Sequence, residues 1–294
     1  MKKTITISFF ALIALSGCDI SQTISASNNA DETTIEEVNT STIIETIPQE
    51  DINISLDTNT TDINETIDIQ PQPVTVAQPS YQMIIDERFN SYDTSLWLKS
   101  DWANGDPFYT AWSPDRVDIN NSTLTLSIEQ NRSGEYRTLN SYMYGRYTTK
   151  FKASDINGTI TSFFTYTGAA EGTAWDEIDV EIIGKDTTKM QVNYWRDGNE
   201  HPYVVDLGFD ASLAMHQYSF IFTKEFIQWY VDDKLVHEVK ENNLSDKDSL
   251  PVNAGKIIVN LWAATGIDSW SGHYEDNTSA KAIYEYITFE ELSN

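Results

Sequence analysis

From Trp175 to Glu181 the chain reads Trp-Asp-Glu-Ile-Asp-Val-Glu, so that Glu177, Asp179 and Glu181 alternate with Ile178, Val180 and Ile182. Successive side chains of a β-strand point to opposite faces, and this pattern therefore specifies a strand with one apolar face for a core and one face carrying three acids. Like charges so placed raise one another's pKa and weaken the fold. A sequence shaped by stability alone would not line them up, which marks the acidic face as a candidate site.

The same period recurs downstream and upstream. Thr123 to Ile128 and Arg146 to Phe151 alternate, Ile160 to Tyr166 is aromatic and β-branched, and Asn, Gly, Ser or Asp bounds each run. Met190 to Trp195 sets Gln191, Asn193 and Trp195 against Met190, Val192 and Tyr194. Ile257 to Trp262 sets Asn260 and Trp262 against Ile257, Val259 and Leu261. Phe226 to Val231 and Leu235 to Val239 flank Asp232-Asp233 and predict a hairpin. Many short alternating strands predict an all-β sandwich of two stacked antiparallel sheets. Polar and aromatic residues opposite the core faces would line a cleft, where flat rings stack on the C–H faces of sugars while amides and carboxylates meet their hydroxyls. Any single aromatic among them could instead serve the core.

Composition divides the 294 residues. Residues 19–80 hold 12 Asp or Glu and no Lys, Arg or aromatic residue, so that stretch cannot bury much apolar surface and is expected to be a disordered, self-repelling acidic linker. Residues 81–294 hold all eight Trp and all fifteen Tyr and suffice for one catalytic-sized domain, expected to be monomeric. Residues 1–18 have Lys2 and Lys3, an apolar run from Ile5 to Leu15, and then Leu15-Ser16-Gly17-Cys18. The run is too short to span a bilayer and reads as an export signal. Its end resembles a bacterial lipobox, which implies lipidation of Cys18 and a membrane-anchored lipoprotein. Asp19 resembles an inner-membrane retention signal, so the expected location is the periplasmic face of the inner membrane or the cell surface. With a single cysteine the domain has no internal disulfide. The net charge of −26 argues against nucleic acid as a partner and leaves a neutral polymer easier to accommodate.

Strand geometry says what the acids could do. At about 3.3 Å per residue the Cα atoms of Glu177 and Glu181 lie about 13 Å apart, and side chains leaning together bring the carboxyls to about 5 Å. That separation suits a retaining glycosidase, whose two carboxylates act as nucleophile and as acid then base. Asp179 can hydrogen-bond one neighbour and, by its charge, help to keep the other protonated. A solvated acidic strand edge is the alternative that spacing alone leaves open.

The run from Glu177 through Lys189 resembles glycoside hydrolase family 16, and within it the bacterial lichenases. So do Asp101 to Gly105, Gly134 to Arg137, Ser162 to Gly168, Leu207 to Ser212, and Asn260 to Trp262 with Thr265-Gly266. The resemblance implies a β-jelly-roll sandwich with a concave substrate cleft and endo-hydrolysis of a mixed-linkage β-1,3-1,4-glucan, or a related β-glucan, with retention. Glu177 then matches the nucleophile, Glu181 the acid/base and Asp179 the assisting carboxylate. Matching substrate contacts are Asn104, Phe108, Glu135, Arg137, Phe164, Tyr166, Trp175, Asn193, Trp195, Asn260 and Trp262, although Glu135 and Arg137 could equally be a structural ion pair. The same chemistry on a bacterial exopolysaccharide, a transglycosylase and a non-catalytic carbohydrate-binding module are the rival readings.

This chain departs from the pattern at several points. Cysteines that form a disulfide in many lichenases are absent, with Thr110 at the first position; Trp195 replaces a tyrosine and Ala263 an asparagine. Many relatives bind a structural calcium through an aspartate matched here by Glu285, which extends that expectation to this chain. No catalytic metal or other cofactor is expected, since the four His are scattered.

Overall fold

A computed structural model describes residues 80–245 and 248–293; the signal at 1–18, Cys18 and the acidic linker up to residue 79 lie outside the described residues. In chain order the strands are β1 (Ser80–Glu87), β2 (Trp97–Lys99), β3 (Ala111–Trp112), β4 (Val117–Asn120), β5 (Thr123–Glu129), β6 (Arg132–Tyr142), β7 (Gly145–Lys152), β8 (Thr159–Thr167) and β9 (Asp176–Ile183). There follow β10 (Lys189–Arg196), β11 (Asn199–Glu200), β12 (Tyr203–Asp206), β13 (His216–Phe222), β14 (Phe226–Val231), β15 (Lys234–Lys240), β16 (Gly255–Ala263) and β17 (Ala280–Ser293). Ser80, assigned to the linker from composition, already pairs with Ser293, so the folded part begins one residue earlier than expected.

Two layers result, as the alternating runs predict. One sheet runs β15-β14-β13-β7-β17, and the far side of β17 is shared between β5, followed by β4, and β1. The other runs β12-β10-β9-β8-β16-β6-β2, with β11 beside the end of β10. Strand β6 starts paired with β5 in the first sheet and continues beside β16 in the second, carrying the chain between layers. The arrangement is a jelly-roll β-sandwich with a concave face on the second sheet. Asp232 and Asp233 both have positive φ, the backbone of a two-residue turn whose twist matches the strands it joins, and β14 and β15 form the predicted hairpin across it.

Inward-facing residues of both sheets make the core. Phe163, Ile178, Val180, Val192, Val259 and Leu261 come from the second sheet, and Tyr147, Phe151, Tyr218, Phe220, Tyr284 and Phe289 from the first. Phe163 meets Phe220 at 5.6 Å between ring centroids across the interface. Burying one such aromatic contributes about 2 kcal/mol, and truncating it to Ala would cost about 3–5 kcal/mol through the cavity left behind. Three polar struts also join the layers. Tyr284 donates its hydroxyl to the carbonyls of Ser162 (2.9 Å) and Asn260 (3.2 Å), and Trp229 Nε1 donates to the carbonyl of Asp179 (3.0 Å). They satisfy polar groups that burial would otherwise penalise, and they grip the second sheet directly beneath its outer face.

Candidate active site

Register brings the outer face of the second sheet into rows. Glu181 lies between Gln191 of β10 and Ser162 of β8; Asp179 between Asn193 and Phe164; Glu177 between Trp195 and Tyr166. Beyond β8, β16 adds Asn260 opposite Ser162 and Ile258 opposite Phe164, and β6 adds Glu135 opposite Asn260 and Arg137 opposite Ile258. Thus eleven of the fourteen expected site residues share one sheet face by pairing alone: Glu177, Asp179, Glu181, Glu135, Arg137, Phe164, Tyr166, Asn193, Trp195, Asn260 and, opposite Ile160 of β8, Trp262.

Trp175 and Phe108 join two of these to form the walls. Trp195 stacks on Trp175 with centroids 4.2 Å apart and planes 11° apart, and Tyr166 meets Trp175 edge-on. Trp262 packs against Phe108 at 4.3 Å and near Trp270, and it belongs with Trp112 and Ile160 to a small apolar cluster separate from the main core. Asn104 is exposed on the loop that leads to Phe108.

The three acids are not equivalent. Glu177 accepts from Trp175 Nε1 at 2.6 Å and is hydrogen-bonded to Asp179. Glu181 accepts from Gln191 Nε2 at 2.9 Å. Burial raises the pKa of all three. For Asp179, 4 % exposed, the charges of Glu177 and Glu181 add to burial and hold it well above the usual range, so it faces Glu177 as a neutral donor. Two donors favour ionised Glu177, whereas burial and then the charge of Glu177 favour protonated Glu181. This corrects one expectation. Asp179 does bond one neighbour, but as a proton donor, and the charge that keeps Glu181 protonated is that of Glu177.

Supporting contacts fix this floor. Asn193 Oδ1 accepts from the backbone N–H of His201 (2.8 Å), whose ring stacks on Tyr194. Glu135 accepts from Ser100 Oγ (2.6 Å) and Asn260 Nδ2 (3.4 Å), and burial raises its pKa. Arg137 lies 3.9 Å from Glu135 and 3.3 Å from Glu171, with its guanidinium over Trp102, so this pair is both an ion pair and part of the cleft face. At the edge, buried Asp176 accepts from Val252 N, Asn253 N and Nδ2, Asp197 N and Arg196, tying two loops to the root of the acidic strand.

Sequence reasoning left several neighbours off the site. Ser162 stands two residues before Phe164 on an alternating strand, so parity alone would have found it, and Gln191 shares a face with Asn193 and Trp195. Trp270, on the short α1 (Asp268–Ser271), carries no periodic signal. At the place the resemblance gives to a disulfide, Thr110 Oγ1 is 2.7 Å from Ser133 Oγ in a buried hydrogen bond. Glu285, the residue matched to the calcium-binding aspartate of relatives, has its carboxylate 2.8 Å from Lys150 Nζ.

A jelly-roll sandwich with a row of acids on its cleft floor, walled by tryptophans, is the architecture of a glycoside hydrolase. The chain belongs to the glycosyl hydrolases family 16, whose model matches residues 104–285. It is 41% identical over 209 residues to a β-glucanase of Acetivibrio thermocellus, covering 68% of this chain and 60% of that relative, so the match spans about three-fifths of the longer protein. A Paenibacillus polymyxa β-glucanase is 40% identical over 211 residues, covering 69% of this chain and 86% of the relative. Among solved structures, a prokaryotic β-1,3-1,4-glucanase (lichenase) from a mouse hindgut metagenome superposes with a TM-score of 0.67 at 37% identity, covering 71% of this chain and 99% of that one.

Proposed function

We propose that this protein is a retaining endo-β-glucanase that hydrolyses internal bonds of a mixed-linkage β-1,3-1,4-glucan. The observation that carries the reading is the unequal hydrogen bonding of two glutamates four residues apart on one strand. Glu177, held by two donors, is the nucleophile; Glu181, with one donor and a like charge nearby, is the acid. Glu181 gives its proton to the leaving glycosidic oxygen while Glu177 attacks the anomeric carbon and the C–O bond breaks. Water then enters, Glu181 takes its proton, the water oxygen bonds the anomeric carbon as its bond to Glu177 breaks, and the sugar leaves with the original configuration. Asp179 donates a hydrogen bond to Glu177, which steadies the carboxylate both before attack and when it regains its charge on leaving the sugar. The β-glucanase names of the relatives and the lichenase neighbour support the substrate.

Reducing-end release from lichenan, laminarin and carboxymethyl-cellulose tests this, with Glu177→Gln as control. Lichenan cleavage that falls by at least about a thousandfold in the variant is the expected result. Near-wild-type hydrolysis by Glu177→Gln would remove the assignment, and activity on laminarin alone would change the substrate.

The Leu15-Ser16-Gly17-Cys18 run supports a lipid on Cys18 and tethering of the domain to a membrane through residues 19–79. Incorporation of radiolabelled palmitate that is lost in Cys18→Ser is the check.

A further inference from the structure

Glu181 receives its one side-chain hydrogen bond from an amide, and an amide can be turned either way round. Gln191 is opposite Glu181 on the neighbouring strand; with Nε2 forward it donates, and with Oε1 forward it would accept. Which orientation holds is decided elsewhere. Trp270 Nε1 lies 2.9 Å from Gln191 Oε1. An indole N–H can only donate, so it demands the oxygen and leaves Nε2 for Glu181. The chain Trp270 Nε1–H to Gln191 Oε1, then Gln191 Nε2–H to Glu181 Oε2, therefore has one permitted direction.

From this geometry we infer that Trp270 is a positioning residue for the acid/base: through Gln191 it assigns Oε2 of Glu181 as the acceptor and leaves Oε1 as the oxygen that carries the proton. The inference deepens the glycosidase reading and rests on it for the role of Glu181. In the first step the Oε1–H proton passes to the leaving oxygen, and the negative charge left on the carboxylate is shared with an oxygen already facing an N–H. In the second step the proton of the attacking water returns to Oε1. If Gln191 were reversed, its oxygen would face the carboxyl, favour the protonated acid and oppose its ionisation in the first step.

The anchoring of Trp270 is consistent with such a task. Helix α1 is pinned by Lys185 Nζ on the Ser269 carbonyl (2.6 Å) and ends at Gly272, whose φ of 80° and closeness to the Asn157 side chain leave no room for a Cβ. Titratable groups near Glu181 are ionised Glu177 and neutral Asp179 on its own strand and Glu200 on β11; the neighbouring strands present uncharged Gln191 and Ser162. No cation in that set could substitute for the lost donor.

Trp270→Phe removes the N–H and keeps a ring for packing near Trp262; Gln191→Met removes the amide itself. The carboxyl of Glu181 is titrated by 13C NMR in the full-length protein and both variants, assigned with Glu181→Gln, and the pH profile of kcat/KM on lichenan is recorded alongside. Loss of the donor raises the pKa of the acid, so the midpoint and the basic limb are expected to rise by about half a unit in Trp270→Phe and about one unit in Gln191→Met. A fixed midpoint in a folded Trp270→Phe overturns the inference, even if Gln191→Met shifts. The titration needs no substrate: failure of wild-type protein to cleave any glucan would count against the glycosidase reading, while the midpoints would still decide the relay.

Discussion

Replacing Glu181 by Gln should make the protein more stable, and the gain should depend on pH. In the unfolded chain this carboxyl ionises near its ordinary value of 4.5; in the fold, burial first and the charge of Glu177 second push it upward. A group whose folded pKa lies above its unfolded one binds more protons in the native state, so stability is complete at low pH and declines as pH rises from about 4 toward the folded pKa. Each unit of pH across that window costs about 1.4 kcal/mol. By pH 7 the wild type has lost about 2–3 kcal/mol that the neutral Gln does not lose, after allowance for partial exposure at the cleft surface. Gln keeps an oxygen for Gln191 Nε2, so the packing is preserved. For a domain of this size the difference corresponds to a rise in Tm of about 5–10 °C. Calorimetry of wild type and variant at pH 4, 5.5, 7 and 8 reads it directly, with the curves merging at pH 4. Equal Tm values at pH 7, or a variant that melts lower, would refute the view that this cleft holds its acids at the expense of the fold.

Other expected outcomes concern the frame. Asp176→Ala strands five donors that now converge on one buried carboxylate, and urea unfolding should show a loss of about 3–5 kcal/mol. Thr110→Cys with Ser133→Cys places thiols where two buried hydroxyls already touch, and the oxidised double variant should gain about 2–3 kcal/mol over its reduced form in thermal melts. Trp195→Ala removes one partner of the stacked pair beside Glu177 and should raise KM on lichenan about tenfold with a smaller effect on kcat.

Legibility followed physical locality. Alternation assigned faces correctly for β9, β10 and β16, because a strand with one buried face cannot slip by a residue without turning its apolar side to water. The hairpin at Asp232-Asp233 was readable because its turn is two residues long. Pairing between distant strands was not readable from periodicity: nothing local says that Ser162 lies beside Glu181 or that Glu135 lies beside Asn260. Trp270 and Asp176 show the same limit, since each acts through partners brought near by loops. Asp179 shows another: its identity as a donor depends on how deeply it is buried, which spacing does not report. The ion pair of Glu285 with Lys150 joins two strands that are distant in sequence, so spacing could not show it either.

The struts from Tyr284 and Trp229 bear on how this protein fails when heated. Since the carbonyls of Asp179, Ser162 and Asn260 are held from the opposite layer, loosening these strands of the cleft floor breaks bonds that span the sandwich. Heat inactivation and loss of near-ultraviolet circular dichroism should therefore follow one curve, and cooling from just below the midpoint should return activity and spectrum together.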